Sequence, residues 1–180
     1  MLLALLLGAL TASHTTGDTV EARRGRVAAA IDSGRVESAL VADRIVVEKG
    51  RRRLTLLRNG APVRRYLVAL GQNPVGPKKR RGDLRTPEGI YTIEARVERS
   101  RYHLALRISY PSAADVARAR ALGVSAGGDI MIHGLPNGRG KVGAAHRQFD
   151  WTEGCIAVTN EEIEEIWRAV PIGTVIEIRP

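Results

Sequence analysis

The chain is poor in cysteine, in aromatic side chains and in long hydrophobic runs. Cys155 is its one cysteine in 180 residues, which excludes an internal disulfide and a cysteine-built metal site. The four histidines are scattered and add no ligand spacing, so no metal is expected, and no motif points to a cofactor. Aromatics make up 4% of the chain, leaving Val, Ile and Leu to fill the core. There is no basic recognition helix and no aromatic RNA-binding motif, so nucleic acid is not the expected partner. Neither an internal repeat nor a regular strand–helix–strand alternation is present, which argues against a doubly wound parallel sheet.

What is there begins with charge. Twenty-eight basic residues face nineteen acidic ones, a net charge of +9, with arginine and lysine gathered at Arg51–Arg53, Arg64–Arg65 and Lys78–Arg81. That excess suits an anionic partner: a carboxylate-rich substrate or an acidic cell-envelope surface. Residues 1–17 carry no charged side chain. Met1 to Leu10 is almost all Leu and Ala, too short to cross a bilayer, and small and polar residues follow. The segment reads as a signal peptide or an N-terminal anchor associated with the membrane. Residues 18–42 read as a helical linker, and 43–180 as the domain proper. Export to the periplasm or cell envelope makes a lone thiol informative, because an unpaired cysteine in an oxidising compartment is either joined between molecules or a reactive group.

Within the domain, Arg44–Glu48, Arg53–Arg58 and Val63–Leu70 are predicted strands of an antiparallel meander, with Asn59-Gly60 as a hairpin turn. Further strands are expected at Ile90–Val97, Tyr102–Ser109, Asp129–Ile132 and Val175–Arg179. Ser112–Leu122 and Asn160–Ala169 are expected helices, capped by Ser112 and Asn160. Asn137–Ala145 is expected to be a glycine-rich loop. The fold class is mainly β within α+β: a β-sandwich or open barrel with two short helices at its rim.

Cys155 opens the apolar run Ile156–Val158, and His133 ends the apolar run Ile130–Ile132. A thiol is a weak nucleophile near neutral pH, and a neighbouring imidazole activates it by taking its proton, storing the pair as thiolate and imidazolium. The other ring nitrogen of His133 needs a partner, which a backbone carbonyl can supply, and Gly134 puts flexible backbone directly after it. Gly154 permits a tight turn and close approach of substrate, and the N–H groups of Gly154 and Cys155 are candidates for an oxyanion hole. Glu153, beside the thiol, is expected to raise its pKa. His146 reads as a solvated loop residue and His103 as structural. The chemistry of such a set is acyl transfer.

His133-Gly134, a glycine-rich gap and then Thr152-Glu153-Gly154-Cys155 resemble the paired motifs of the YkuD-type L,D-transpeptidases. Thr86-Pro87-Glu88-Gly89-Ile90-Tyr91 is similar to the segment that precedes the site in that family. The resemblance implies a YkuD-like fold, Cys155 as nucleophile, His133 as proton donor and acceptor, and the Gly134 backbone as its orienter. It also points to Gly154, Thr152, Arg85 and Tyr91 as substrate-binding residues. The implied substrates are peptidoglycan stem peptides, cleaved after meso-diaminopimelate with release of D-Ala and transfer of the acyl group to an amine, or to an envelope protein as acceptor. The chain departs from the family in carrying Glu153 where a histidine is usual and Ala157 where Arg or Asn is usual. Those departures leave hydrolysis of a murein or murein–lipoprotein cross-link as an alternative, and a non-catalytic wall-binding domain as another.

Overall fold

A computed structural model describes residues 40–180. The expected leader at 1–17 and nearly all of the expected linker at 18–42 lie outside the described residues. The last residues of that linker already belong to the domain. Ala42 is fully buried and its N–H donates to the Ala169 carbonyl at 2.8 Å.

Eight strands form one mixed sheet among the described residues, in the order β3-β2-β1-β8-β4-β5-β6-β7. The strands are β1 (Arg44–Glu48), β2 (Arg53–Arg58), β3 (Ala61–Leu67), β4 (Gly89–Ser100), β5 (His103–Ile108), β6 (Met131–His133), β7 (Ile156–Ala157) and β8 (Val175–Arg179). The β1–β2–β3 meander is antiparallel as expected. Its second turn is Asn59-Gly60, both with positive φ (52° and 77°), the backbone that matches the right-handed twist of a hairpin. Two pairings were not foreseen: β1 runs parallel to β8, and β6 runs parallel to β7.

The third strand differs from its expected span of Val63–Leu70. It ends at Leu67, and the following residues leave the hairpin for the far end of the sheet. Ala69 exchanges two backbone hydrogen bonds with Ala157 of β7 (3.0 and 2.9 Å), and Gly71 bridges to Thr152. The continuation of one edge strand thereby pairs with the opposite edge, so the sheet curls toward an open barrel and the β7 edge is covered.

Helix α1 (Ala113–Ala121) carries the expected Ser112 cap as a capping box with Asp115. Helix α2 (Asn160–Ala169) is capped one residue earlier than expected. Thr159 accepts from the Glu162 N–H, and the Glu162 carboxylate accepts from the Thr159 N–H. Asn160 is freed for another task, described below. Residues Gly140–Gln148, which overlap the glycine-rich loop expected at Asn137–Ala145, form a 3-10 segment broken at Gly143. The core is aliphatic. Ile45, Leu54, Leu56, Ile93, Leu106, Ile108, Ile132 and Ile156 are fully buried, and α2 lays Ile163 and Ile166 on them. Scarce aromatics are compatible with this because β-branched side chains pack well on a pleated surface.

Candidate active site

The parallel pairing of β6 and β7 sets the site. Ile132 pairs with Ile156 and His133 with Ala157. Cys155 lies one residue before β7, two before Ala157, so it shares a face of the sheet with the partner of His133. The thiol and the imidazole therefore open into one cavity of about 480 Å³.

His133 is 3% exposed. Its Nδ1 lies 2.7 Å from the Gly134 carbonyl oxygen. A carbonyl only accepts, so Nδ1 carries the proton and Nε2 presents its lone pair as the base. Burial pulls the imidazole down to about 4, partly opposed by the Gly134 hydrogen bond, with a further lowering from His146. Burial pushes the Cys155 thiol up, against the Met131 backbone amide and the Lys78 charge, while Asp129 and Glu153 raise it further. Burial thus works against the thiolate–imidazolium pair expected from the sequence, because it disfavours both charges. The expected effect of Glu153 is present in direction but ranks below burial.

The turn that holds Cys155 is closed by Thr152. Its hydroxyl donates to the Cys155 carbonyl (2.7 Å) and accepts the Gly154 N–H (3.1 Å). The Gly154 amide is therefore committed to the turn, which corrects its expected place in an oxyanion hole. Gly154 itself has φ +130°, and a Cβ there would stand 2.6 Å from the Arg85 carbonyl oxygen, so only glycine fits. Upstream, Asp150 accepts from the Leu70 N–H (2.8 Å) and from Arg52 (2.8 Å), anchoring the segment to the sheet. Helix α2 is tied to the other half of the site, because Asn160 Oδ1 accepts from the Leu135 N–H at 2.9 Å and abuts Gly134.

Of the residues singled out in the sequence, Cys155, His133 and Thr152 line the cavity. Gly134 and Gly154 support it from behind through their backbones. Arg85 and Tyr91 are not among its lining residues. Arg85 meets the site only through its carbonyl against Gly154. Tyr91 is 4% exposed, and its hydroxyl donates to Asp115 Oδ2 (3.1 Å) and the Glu88 carbonyl (3.2 Å). Its role is in the core, and the expectation that it binds substrate is corrected accordingly.

Other residues enter the site unannounced. Tyr102 stacks on the His133 ring (4.4 Å between centroids), and Trp151 meets that ring edge-on at 5.7 Å. With only two Trp in the chain, the placing of Trp151 directly before Thr152 was a usable signal, whereas Tyr102 lies far from either motif in sequence and gave none. Lys78 and Arg81 bring positive charge to the cavity, and Asp129 and Glu153 bring negative. Lys78 is already paired with Asp83 at 2.8 Å, whereas Arg81 has no side-chain ion pair among the described residues. His146, expected in solvent, is 5% exposed. Among the described residues no cluster of His, Cys, Asp and Glu is able to hold a metal ion.

The profile of the YkuD family, the L,D-transpeptidase catalytic domain, matches residues 42–178. YafK of Escherichia coli strain K12, a candidate L,D-transpeptidase, is 34% identical over 108 residues, which is 58% of this chain and 36% of YafK. Among solved structures, the helical cell shape determining protein Pgp2 of Campylobacter jejuni superposes with a TM-score of 0.54 at 23% identity, over 82% of this chain and 52% of Pgp2. Bd1075 of Bdellovibrio bacteriovorus gives 0.53 at 27% identity, over 79% of this chain and 49% of its own. The chain thus spans about a third of YafK and about half of each of these two structures.

Proposed function

Because the chain belongs to the YkuD family of L,D-transpeptidase catalytic domains, we propose that it is an exported cysteine acyltransferase of the cell envelope acting on peptidoglycan stem tetrapeptides. The observation that carries the reading is the convergence of Cys155 and His133 in one cavity with His133 Nδ1 fixed on the Gly134 carbonyl. His133 Nε2 takes the thiol proton as Sγ attacks the carbonyl carbon after the L-centre of meso-diaminopimelate. The tetrahedral adduct collapses, the C–N bond breaks, and the imidazolium gives its proton to the departing D-Ala amine. The resulting thioester is attacked by an amine whose proton passes to His133 and then back to the thiolate, regenerating the neutral pair. The burial that raises the thiol and lowers the imidazole fits a base that works during attack rather than a stored ion pair. The charges of Arg81, Asp129 and Glu153 in the cavity fit a substrate that carries both carboxylate and ammonium groups.

One observation favours a second reading. The exposed Glu153 carboxylate lines the same cavity as the thiol and has no ion-pair partner among the described residues. As a base it would take a proton from water, in which case the thioester ends as a free acid and the reaction is hydrolysis, including that of a murein or murein–lipoprotein cross-link. Incubation of purified disaccharide tetrapeptide with the protein, with and without an added amine acceptor, separates the two by product mass. Transfer yields an acceptor-linked tripeptide and hydrolysis yields the free tripeptide. No release of D-Ala under either condition, with Cys155→Ala and wild type binding sacculi equally and neither cleaving a cross-link in them, would overturn both and leave a wall-binding domain.

A further inference from the structure

His146 is a buried imidazole with one nitrogen occupied and one orphaned. Trp151 Nε1–H donates to His146 Nδ1 at 3.3 Å. An indole nitrogen only donates, so Nδ1 is the acceptor and the neutral ring carries its proton on Nε2. That Nε2–H is buried and has no partner among the described residues. Burial, with the Arg147 charge, lowers the ring's pKa, and Glu162 opposes this in part. Beside it lies an apolar cavity of about 260 Å³ lined by Leu135, Val142 and Phe149, which offers no acceptor side chain. A phenylalanine would fill such a position without an orphaned donor, so packing does not account for a histidine. What the imidazole supplies is the acceptor for Trp151.

Trp151 in turn forms part of the wall of the catalytic base. Its ring meets His133 edge-on at 5.7 Å and Tyr102 at 6.1 Å, while Tyr102 covers the His133 ring at 4.4 Å. The segment that carries His146 is tied to α2, since the neighbouring Arg147 is paired with Glu162. We propose that His146 is a positioning residue, which acts through the Trp151 indole to fix the water-excluding wall that keeps the His133 imidazole oriented and neutral. This rests on the reading of His133 as the base for Cys155, and adds to it a link from the 3-10 segment to that base.

The test needs no natural substrate. The rate at which iodoacetamide alkylates Cys155 is measured against pH in wild type, His133→Asn, His146→Phe, His146→Asn, Trp151→Phe and the double variant His146→Phe/Trp151→Phe. Thermal unfolding is followed in parallel, and the His133 ring is titrated by NMR. Alkylation at neutral pH is expected to fall at least about tenfold in His133→Asn and about threefold or more in His146→Phe and in Trp151→Phe. The double variant should fall no further than either single variant, because both break one link. The His133 midpoint should rise in His146→Phe as water reaches the ring. His146→Asn, whose side-chain oxygen stands near the position of Nδ1, should restore most of the rate. The melting temperature of His146→Phe should stay near that of wild type, since the orphaned donor on the ring is gone but the Trp151 indole N–H loses its acceptor. If His133→Asn alkylates like wild type, the base assignment fails and the proposal with it. If His133→Asn falls but His146→Phe keeps the wild-type profile, or loses rate only in proportion to lost stability, the positioning role alone is overturned.

Discussion

At the scale of single residues, the site is governed by burial. His133 is held near a pKa of 4 against roughly 6.5 in an unfolded chain. The unfolded chain binds the proton first as pH falls, so the stability contributed by the neutral ring is complete above about 6.5 and lost as pH drops through 4. The loss is on the order of 3 kcal/mol, in a window above that of Glu177, whose carboxylate is lowered to about 2 by Arg179 and Arg44. Urea midpoints taken across that window should decline steeply in wild type and be flatter in His133→Asn; equal slopes would contradict the burial account. Gly154→Ala should destabilise by roughly 1–3 kcal/mol from the backbone alone, with the clash against Arg85 added, as read from urea unfolding. Cys155, His133 and the Gly134 carbonyl were legible in the sequence because each is one residue with one chemical task beside a glycine. His146 was not. Its burial comes from a segment whose glycines masked a compact 3-10 turn, and its partner Trp151 is a donor that no local pattern pairs with it.

At the scale of elements, two short strands and one helix align the halves of the site. The strand boundaries at Arg44–Glu48 and Arg53–Arg58 and the Asn59-Gly60 turn were readable from local pattern. The parallel pairings were not, because they join segments far apart in sequence and depend on how the sheet curls. Asn160 was read as a cap, but Thr159 takes that task and Asn160 reaches Leu135. Thr159→Ala should cost about 1 kcal/mol as a lost cap. Asn160→Ala should cost about 1–3 kcal/mol, because it leaves the Leu135 N–H unsatisfied at a residue that is 1% exposed. The two differ in function: Asn160→Ala should lower Cys155 alkylation at neutral pH several-fold, while Thr159→Ala leaves it near wild type. Equal effects on alkylation would show that α2 bears on the site only through general stability.

At the scale of the whole molecule, the described sheet closes on itself through residues 68–71, which places the loop around Lys78–Arg81 against the cavity. The net charge of +9 is consistent with attraction to an anionic polymer. Retention on isolated sacculi should therefore weaken as salt is raised from about 0.01 M to about 0.1 M, which cuts the screening length from ~30 Å to ~10 Å; retention independent of salt would argue against an electrostatic contribution. The central claim is that Cys155 takes the acyl group of a stem peptide. Intact-protein mass spectrometry of the protein mixed with disaccharide tetrapeptide and quenched in acid tests it most directly. Wild type should gain the mass of the substrate less D-Ala, located on Cys155, and Cys155→Ala should gain nothing. D-Ala release that continues in Cys155→Ala, or an adduct that persists in Cys155→Ala, would contradict it.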